Sequence, residues 1–335
     1  MSDDEVDTEL LELLRQHLQG KVTIEEEPET GVLESAEYVY DSCIDVAVDM
    51  RASKKAAETI YQQMQQKSYS TATWSEHELH PKAKDESTVN FIFTMDLLNF
   101  SFWSELPEDE RFAIEYRGKR WTGYWSLVAA LQRALDEEEI PLLHERLDCL
   151  REAGQVLDQN YGGSIPELIY AADGSAARLV NLLAQDFDCF RDEHRFEDGK
   201  MIRLMKRAQI LVADLWACFN GESYGEFRDI DKITMFADYR IPQILMTLGA
   251  LYCCPAIAAA ITDKKMIESG CSWELQIRAC SIWCVELIRR EILRQHPDAH
   301  VNAILIDFFL YDSMKELEAA GEEPIPHHRT RSIWY

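Results

Sequence analysis

The segment MIRLMKRAQILVADLWACFN (201–220) sets one lysine and one aspartate into a strongly apolar stretch. Its apolar residues at 201, 204, 205, 208, 211, 212, 215 and 219 recur at helical spacing, so their stripe should face a core. Lys206 and Asp214 lie eight positions apart. That is about 80° around an α-helix, which puts the lysine on the flank of the stripe. The ordinary role of such a lysine is to snorkel to the surface, and that of such an acid is to pair with a local arginine. The chemical alternative is a cation held against a bound ligand.

Asp238 stands just ahead of a second apolar stretch, read as a helix over 242–261 with Pro242 in its first turn, where a missing N–H costs least. An aspartate there usually caps the helix or answers its dipole. The same dipole would keep the carboxylate ionised and able to face a developing positive charge. A third group is NFIFTMDLLNFSFW (90–103), whose aromatics are interrupted by Asp96 and Asn99. Aromatic runs are usually core, but polar groups inside them need a partner or a ligand. Flat apolar walls such as Phe100 and Trp103, with a few polar groups, suit a heterocyclic base. Tyr124 and Trp125 are candidates for the same wall. The segment PHHRTRSIWY (326–335) ends in aromatics and carries a local basic patch, the composition of a tail that docks.

The elements that must position these groups are mostly helical. Residues 1–30 form a short amphipathic segment (Leu10, Leu13, Leu14, Leu18) and a Glu-rich stretch of doubtful order. Residues 35–66 follow a helical pattern, and 68–87 is polar and reads as a loop. Residues 88–125 are the one convincing β region. There Val89, Phe91, Phe93 and Met95 alternate with Asn90, Ile92, Thr94 and Asp96, and Arg117-Gly118-Lys119 marks a turn before Trp121. Helices are expected over 125–136, 141–158, 176–190, 201–220, 242–261, 272–296 and 300–320. The fold class is therefore mainly α, one compact helical domain over 31–335 with a small β hairpin or sheet, preceded by the acidic segment 1–30.

Composition excludes several function classes. With 34 Lys and Arg against 60 Asp and Glu, the net charge is −26. Polyanion binding rests on many basic contacts, so extended nucleic acid is not an expected partner, although a small anion would fit a local basic pocket. No apolar run reaches the length of about 18 residues that a membrane helix needs; the longest, Ile244–Ile261, is broken by Thr247, Gly249 and Pro255. Met1–Asp7 is acidic and lacks the regions of a signal peptide. Nine dispersed cysteines, an odd number, indicate free thiols in a reducing compartment, hence the cytoplasm, with the nucleus also open. Cys253-Cys254, Cys280 and Cys284 have no further ligands at zinc-site spacing, so no metal is expected.

Taken together, NFIFTMDLLNFSFW (90–103), GYWSLVAALQRAL (123–135), NYGGS (160–164), KRAQILVADLW (206–216), FRDIDKITMFADYRIPQ (227–243), SWELQIRACSIWCVELI (272–288) and PHHRTRSIWY (326–335) resemble the queuosine salvage proteins, the queuosine 5′-phosphate N-glycosylase/hydrolase family. The resemblance runs from about residue 35 onward. It implies a mainly helical fold distantly similar to helix–hairpin–helix DNA glycosylases. It also implies hydrolysis of queuosine 5′-monophosphate to queuine and ribose 5-phosphate, without a cofactor. Carried over residue by residue, it makes Asp238 the catalytic carboxylate and Lys206 a polar contact to the substrate, its phosphate first. Asp96, Asn99, Phe100 and Trp103 would lie in or near the base pocket, with Asp214, Tyr239 and Tyr335 as further substrate contacts. The chemistry suits these residue types, because cleaving a nucleoside C1′–N bond builds an oxocarbenium-like ribose that a carboxylate stabilises or captures. Covalent capture and water attack both stay open. A non-catalytic helical adaptor, or a binding protein for a nucleotide or modified base, is the competing reading.

Overall fold

The computed structural model describes residues 28–71, 74, 80–105, 113–116, 119–122, 141–321 and 325–335. Within them the chain forms eleven α-helices and three two-stranded antiparallel sheets. The order is α1 (Val32–Ser42), β1 (Val46–Val48), α2 (Met50–Gln66), α3 (Glu86–Leu97), β2 (Ala113–Tyr116), β3 (Lys119–Thr122), α4 (Leu143–Tyr161), α5 (Ile165–Ala171), α6 (Ala176–Asp186), β4 (Glu193–Arg195), β5 (Met201–Arg203), α7 (Lys206–Phe219), α8 (Arg240–Thr247), β6 (Leu251–Cys253), α9 (Pro255–Thr262), α10 (Ser272–Gln295) and α11 (Ala303–Ala319). None of the described helices is long and apolar enough to cross a membrane, and all nine cysteines are free thiols.

Helix α10 is the axis of the molecule. Every residue from Glu274 to Glu286 is buried, as expected of a helix enclosed on all sides, and it packs against α1, α2, α8 and α11. The apolar stripe of α7 meets α3 and α6, which brings the segments carrying Asp96 and Lys206 side by side.

Four of the expected elements differ. Residues 86–97 are helix α3, not a strand: Val89, Ile92, Phe93, Asp96 and Leu97 are all buried, which is the i, i+3, i+4 pattern of a helix face. Asp85 starts this helix by accepting the Ser87 and Thr88 N–H groups at 3.0 and 3.3 Å. The stretch expected as one helix over 242–261 is α8, β6 and α9. Gly249, at φ +68°, turns the chain out of α8, and Pro255 opens α9 at a position where its missing N–H is harmless. The 35–66 helix is split by β1, which pairs with β6 in the register Val46↔Cys253 to Val48↔Leu251. The 201–220 helix begins only at Lys206, because Met201–Arg203 pairs with Glu193–Arg195 and Met205 turns left-handed at φ 49°. A β2–β3 hairpin does form, with Tyr116 opposite Lys119. The acidic segment up to residue 27, the expected helix 125–136 and the Tyr124–Trp125 wall lie outside the described residues.

Candidate active site

The first residue of α7, Lys206, points its ammonium to the end of α3. Its Nζ lies 3.3 Å from Asn99 Oδ1 and 3.4 Å from the Asn99 carbonyl. Asn99 in turn donates Nδ2–H to Asp96 Oδ1 at 3.1 Å. Asp96 is fully buried, and its Oδ2 has no hydrogen-bond partner among the described residues. Buried acceptors are nearly always paired, so this oxygen marks a polar spot in an otherwise dry wall.

Asp238 comes from the loop ahead of α8. Its Oδ1 accepts the N–H groups of Arg240 at 2.8 Å and Ile241 at 3.0 Å, so it does cap the helix that follows. It is also within electrostatic reach of the lysine. Of the charges that hold Lys206 protonated against the cost of its burial, Asp238 is the strongest and Asp96 the next. Asp214, two turns along α7 from Lys206, is buried and hydrogen-bonded to Trp74. A fourth carboxylate, Asp307 of α11, closes the group and accepts the Phe236 N–H at 2.9 Å, two residues before Asp238.

Four aspartates around one lysine cannot all be ionised in a dry site. Burial pushes Asp96 and Asp307 well above the usual carboxylate range, and the nearby charges of Asp214 and Asp238 respectively push them further. Burial raises Asp214 to about 7, with the Trp74 hydrogen bond and Lys206 pulling back. Asp238 is raised by burial too, but Lys206 and the two helix N–H groups oppose the shift. Asp238 is therefore the acid best placed to carry the negative charge that answers Lys206. Asp238 and Asn99 are also only half-buried, whereas Asp96, Lys206, Asp214 and Asp307 are buried, so the cluster opens to solvent on the Asp238–Asn99 side.

The remaining candidates form a second group beside the first. Trp103, Tyr239 and Tyr335 pack into a small apolar cluster with Trp334, and Tyr239 directly follows Asp238. The Trp103 ring is covered by Arg331 at 3.5 Å, and its Nε1–H donates to the Thr330 carbonyl at 3.0 Å. Tyr239 stacks on His327 with centroids 4.6 Å apart. Tyr335 lies against the Arg278 guanidinium at 4.3 Å. The 326–335 segment thus docks as its composition suggested. Phe100 is not brought to the carboxylates: its ring lies between the guanidinium groups of Arg146, at 4.1 Å, and Arg207, at 4.8 Å. Sequence reasoning missed Asp307, although an acid inside the apolar run AILIDFFL carries the same signal as Asp96. It also missed Asp192, and passed over Arg278 although that residue lies within SWELQIRACSIWCVELI.

A buried cation, one carboxylate positioned to ionise beside it, three carboxyls that burial holds toward the neutral form, and an apolar aromatic group alongside suit a reaction in which positive charge gathers on a neutral ring. The family model described as queuosine salvage protein matches residues 79–139 and 136–335. A Schizosaccharomyces pombe protein named queuosine 5′-phosphate N-glycosylase/hydrolase is 41% identical, over 91% of this chain and 99% of its own length. Proteins with the same name from Mus musculus and Sphaerobacter thermophilus are 38% and 36% identical, covering 92% and 91% of this chain and 99% and 98% of theirs.

Proposed function

Because this chain belongs to the queuosine salvage protein family, we propose that it hydrolyses the N-glycosidic bond of queuosine 5′-phosphate, releasing queuine and ribose 5-phosphate for salvage into tRNA modification. The observation that carries this reading is the electrostatic coupling of the half-buried Asp238 to the buried Lys206 within a cluster of acids. As the C1′–N bond lengthens, the ribose gains oxocarbenium character and the Asp238 carboxylate lies ready to stabilise it. Water supplies the oxygen that ends on C1′ and the proton that ends on the base. The leaving base is a 7-deazaguanine, which offers no N7 to protonate, so hydrogen bonds elsewhere on the base must carry the negative charge that develops there. Its aminomethyl arm is cationic, and we assign Asp96 or Asp214 to receive it, the arriving cation drawing off a proton that burial otherwise retains.

Asp238, the one acid of the cluster placed to ionise, already answers Lys206, so the lysine has little positive charge left to offer a phosphate dianion. Lys206 is therefore assigned to the ribose end, where it keeps Asp238 ionised. The net charge of −26 favours a mononucleotide over a nucleic-acid duplex as substrate, and nine free thiols suit the reducing cytoplasm. Asp238→Asn keeps the cap geometry and removes the charge. It should lower kcat for queuosine 5′-phosphate by roughly a thousandfold with an unchanged melting curve; turnover close to that of the parent would refute the assignment.

A further inference from the structure

Arg278 sits in the middle of α10, is fully buried, touches the segment that carries Asp238 and reaches that of Lys206 through Asp192. Its Nε–H donates to the Ala237 carbonyl at 2.8 Å, on the residue before Asp238. Its two terminal nitrogens donate to Asp192, at 2.6 Å to Oδ2 and 3.2 Å to Oδ1, and one of them also reaches Glu274 at 3.2 Å. Asp192 passes the connection on. Its Oδ2 accepts the Lys206 N–H at 3.2 Å, and its main-chain carbonyl accepts the Leu204 and Met205 N–H groups at 3.0 and 3.4 Å. Met205 is the left-handed residue that launches α7. A non-glycine residue persists in that conformation only where its surroundings hold it.

One planar group therefore spans from the peptide of Asp238 to the backbone of Lys206 through a single carboxylate. A buried arginine–carboxylate cluster is a poor source of stability, because desolvation offsets most of its attraction. Its fork geometry is what an apolar replacement could not supply, since it fixes two directions at once. We propose that Arg278, acting through Asp192 and the Ala237 carbonyl, is a positioning residue that sets the spacing of Asp238 and Lys206 for hydrolysis. The inference rests on the reading of those two residues given above. His194, on the other oxygen of Asp192 at 2.8 Å, and Tyr335, on the face of the guanidinium, close the pair off from other orientations.

A lysine at 278 keeps the charge but has a single nitrogen in place of the planar fork, so it loses the fixed directions toward Asp192 and Ala237. In the full chain, Arg278→Lys should lower kcat for queuosine 5′-phosphate about 100-fold, with KM inside about threefold of the parent, because small misplacements act on the reacting geometry before they act on binding. In single-turnover assays it should take less than about threefold more from Asp238→Asn, since two changes acting through one group do not add. Asp192→Asn keeps the shape, removes the charge that holds the α7 backbone, and should repeat the pattern if Arg278→Lys does not fold. A kcat within about threefold of the parent in the folded variants, or the whole loss repeated on top of Asp238→Asn, overturns the inference. Parent-like turnover by Asp238→Asn alone overturns the assignment of Asp238 beneath it, a result distinct from any that the Arg278 variant gives.

Discussion

Lys206 is a cation whose neighbours are acids, and that decides what its loss should look like. If it serves the ribose end through Asp238, Lys206→Ala lowers kcat about 100-fold and leaves KM for the nucleotide within about threefold. A phosphate contact predicts the reverse, a raised KM with kcat preserved, and steady-state kinetics separates the two. Asp214 offers a test that needs no substrate. Its pKa stands at about 7 in the fold against an ordinary 3.8. Below the lower value both folded and unfolded chains hold the proton, and stability is unaffected. As pH rises toward 7 the unfolded chain releases a proton that the fold retains, so stability is lost across that window. Asparagine carries no such penalty and can still accept the Trp74 hydrogen bond. The melting temperature of Asp214→Asn relative to the parent should therefore climb between about pH 4 and pH 7 and level off above; calorimetry giving a constant difference would argue against a raised Asp214. The site was legible in the sequence wherever a polar side chain broke an apolar run, as at Asp96, Asn99, Lys206 and Asp214, or preceded a helix, as at Asp238. Asp192 was not, because it lies in the charged stretch RDEHRFEDGK, where an acid is ordinarily solvated.

Helix α3 shows why elements were harder to read than residues. In NFIFTMDL the apolar side chains alternate and also fall on a helical stripe, and the helical stripe contains Asp96. Accepting it as a helix means accepting a buried acid, which a periodicity argument disfavours and which Asn99, three residues on, and Lys206 of α7 make tolerable. The decisive local signal is Asp85, whose side chain takes two N–H groups of the first turn. Asp85→Ala should lower the midpoint of denaturant unfolding, because two first-turn N–H groups lose their cap. Turnover of the folded protein should be little changed, because Asp96 and Asn99 stand at the far end of the helix. The short strands β1, β4, β5 and β6 carried no readable alternation, since three residues are too few to show a period of two. The long helices α10 and α11 were legible to within a few residues, because each buries a continuous face.

At the scale of the molecule, the 329–335 segment ties distant parts together. Ser101 N–H donates to the Tyr335 carbonyl and its hydroxyl to the Ser332 carbonyl, both at 2.9 Å. Ile267 N–H donates to the Arg329 carbonyl at 2.8 Å, and Thr330 Oγ1 returns a bond to the Ile267 carbonyl at 3.0 Å. Removing residues 330–335 takes away all of these bonds except that of Ile267 to Arg329, together with the buried Tyr335, and uncovers Arg278. Differential scanning calorimetry should then show a melting temperature lower by roughly 10 °C, and turnover should fall with it. Melting unchanged by the truncation would mean that the segment merely rests on the surface. The same clasp orders the birth of the site in time. A ribosome delivers Ser101 and Ile267 well before Arg329 to Tyr335, so a nascent chain holds its aspartates and its lysine while the strap that braces them is still unmade. Glycosidase activity should therefore be absent from the growing chain and switch on only after synthesis has passed the final aromatic residue.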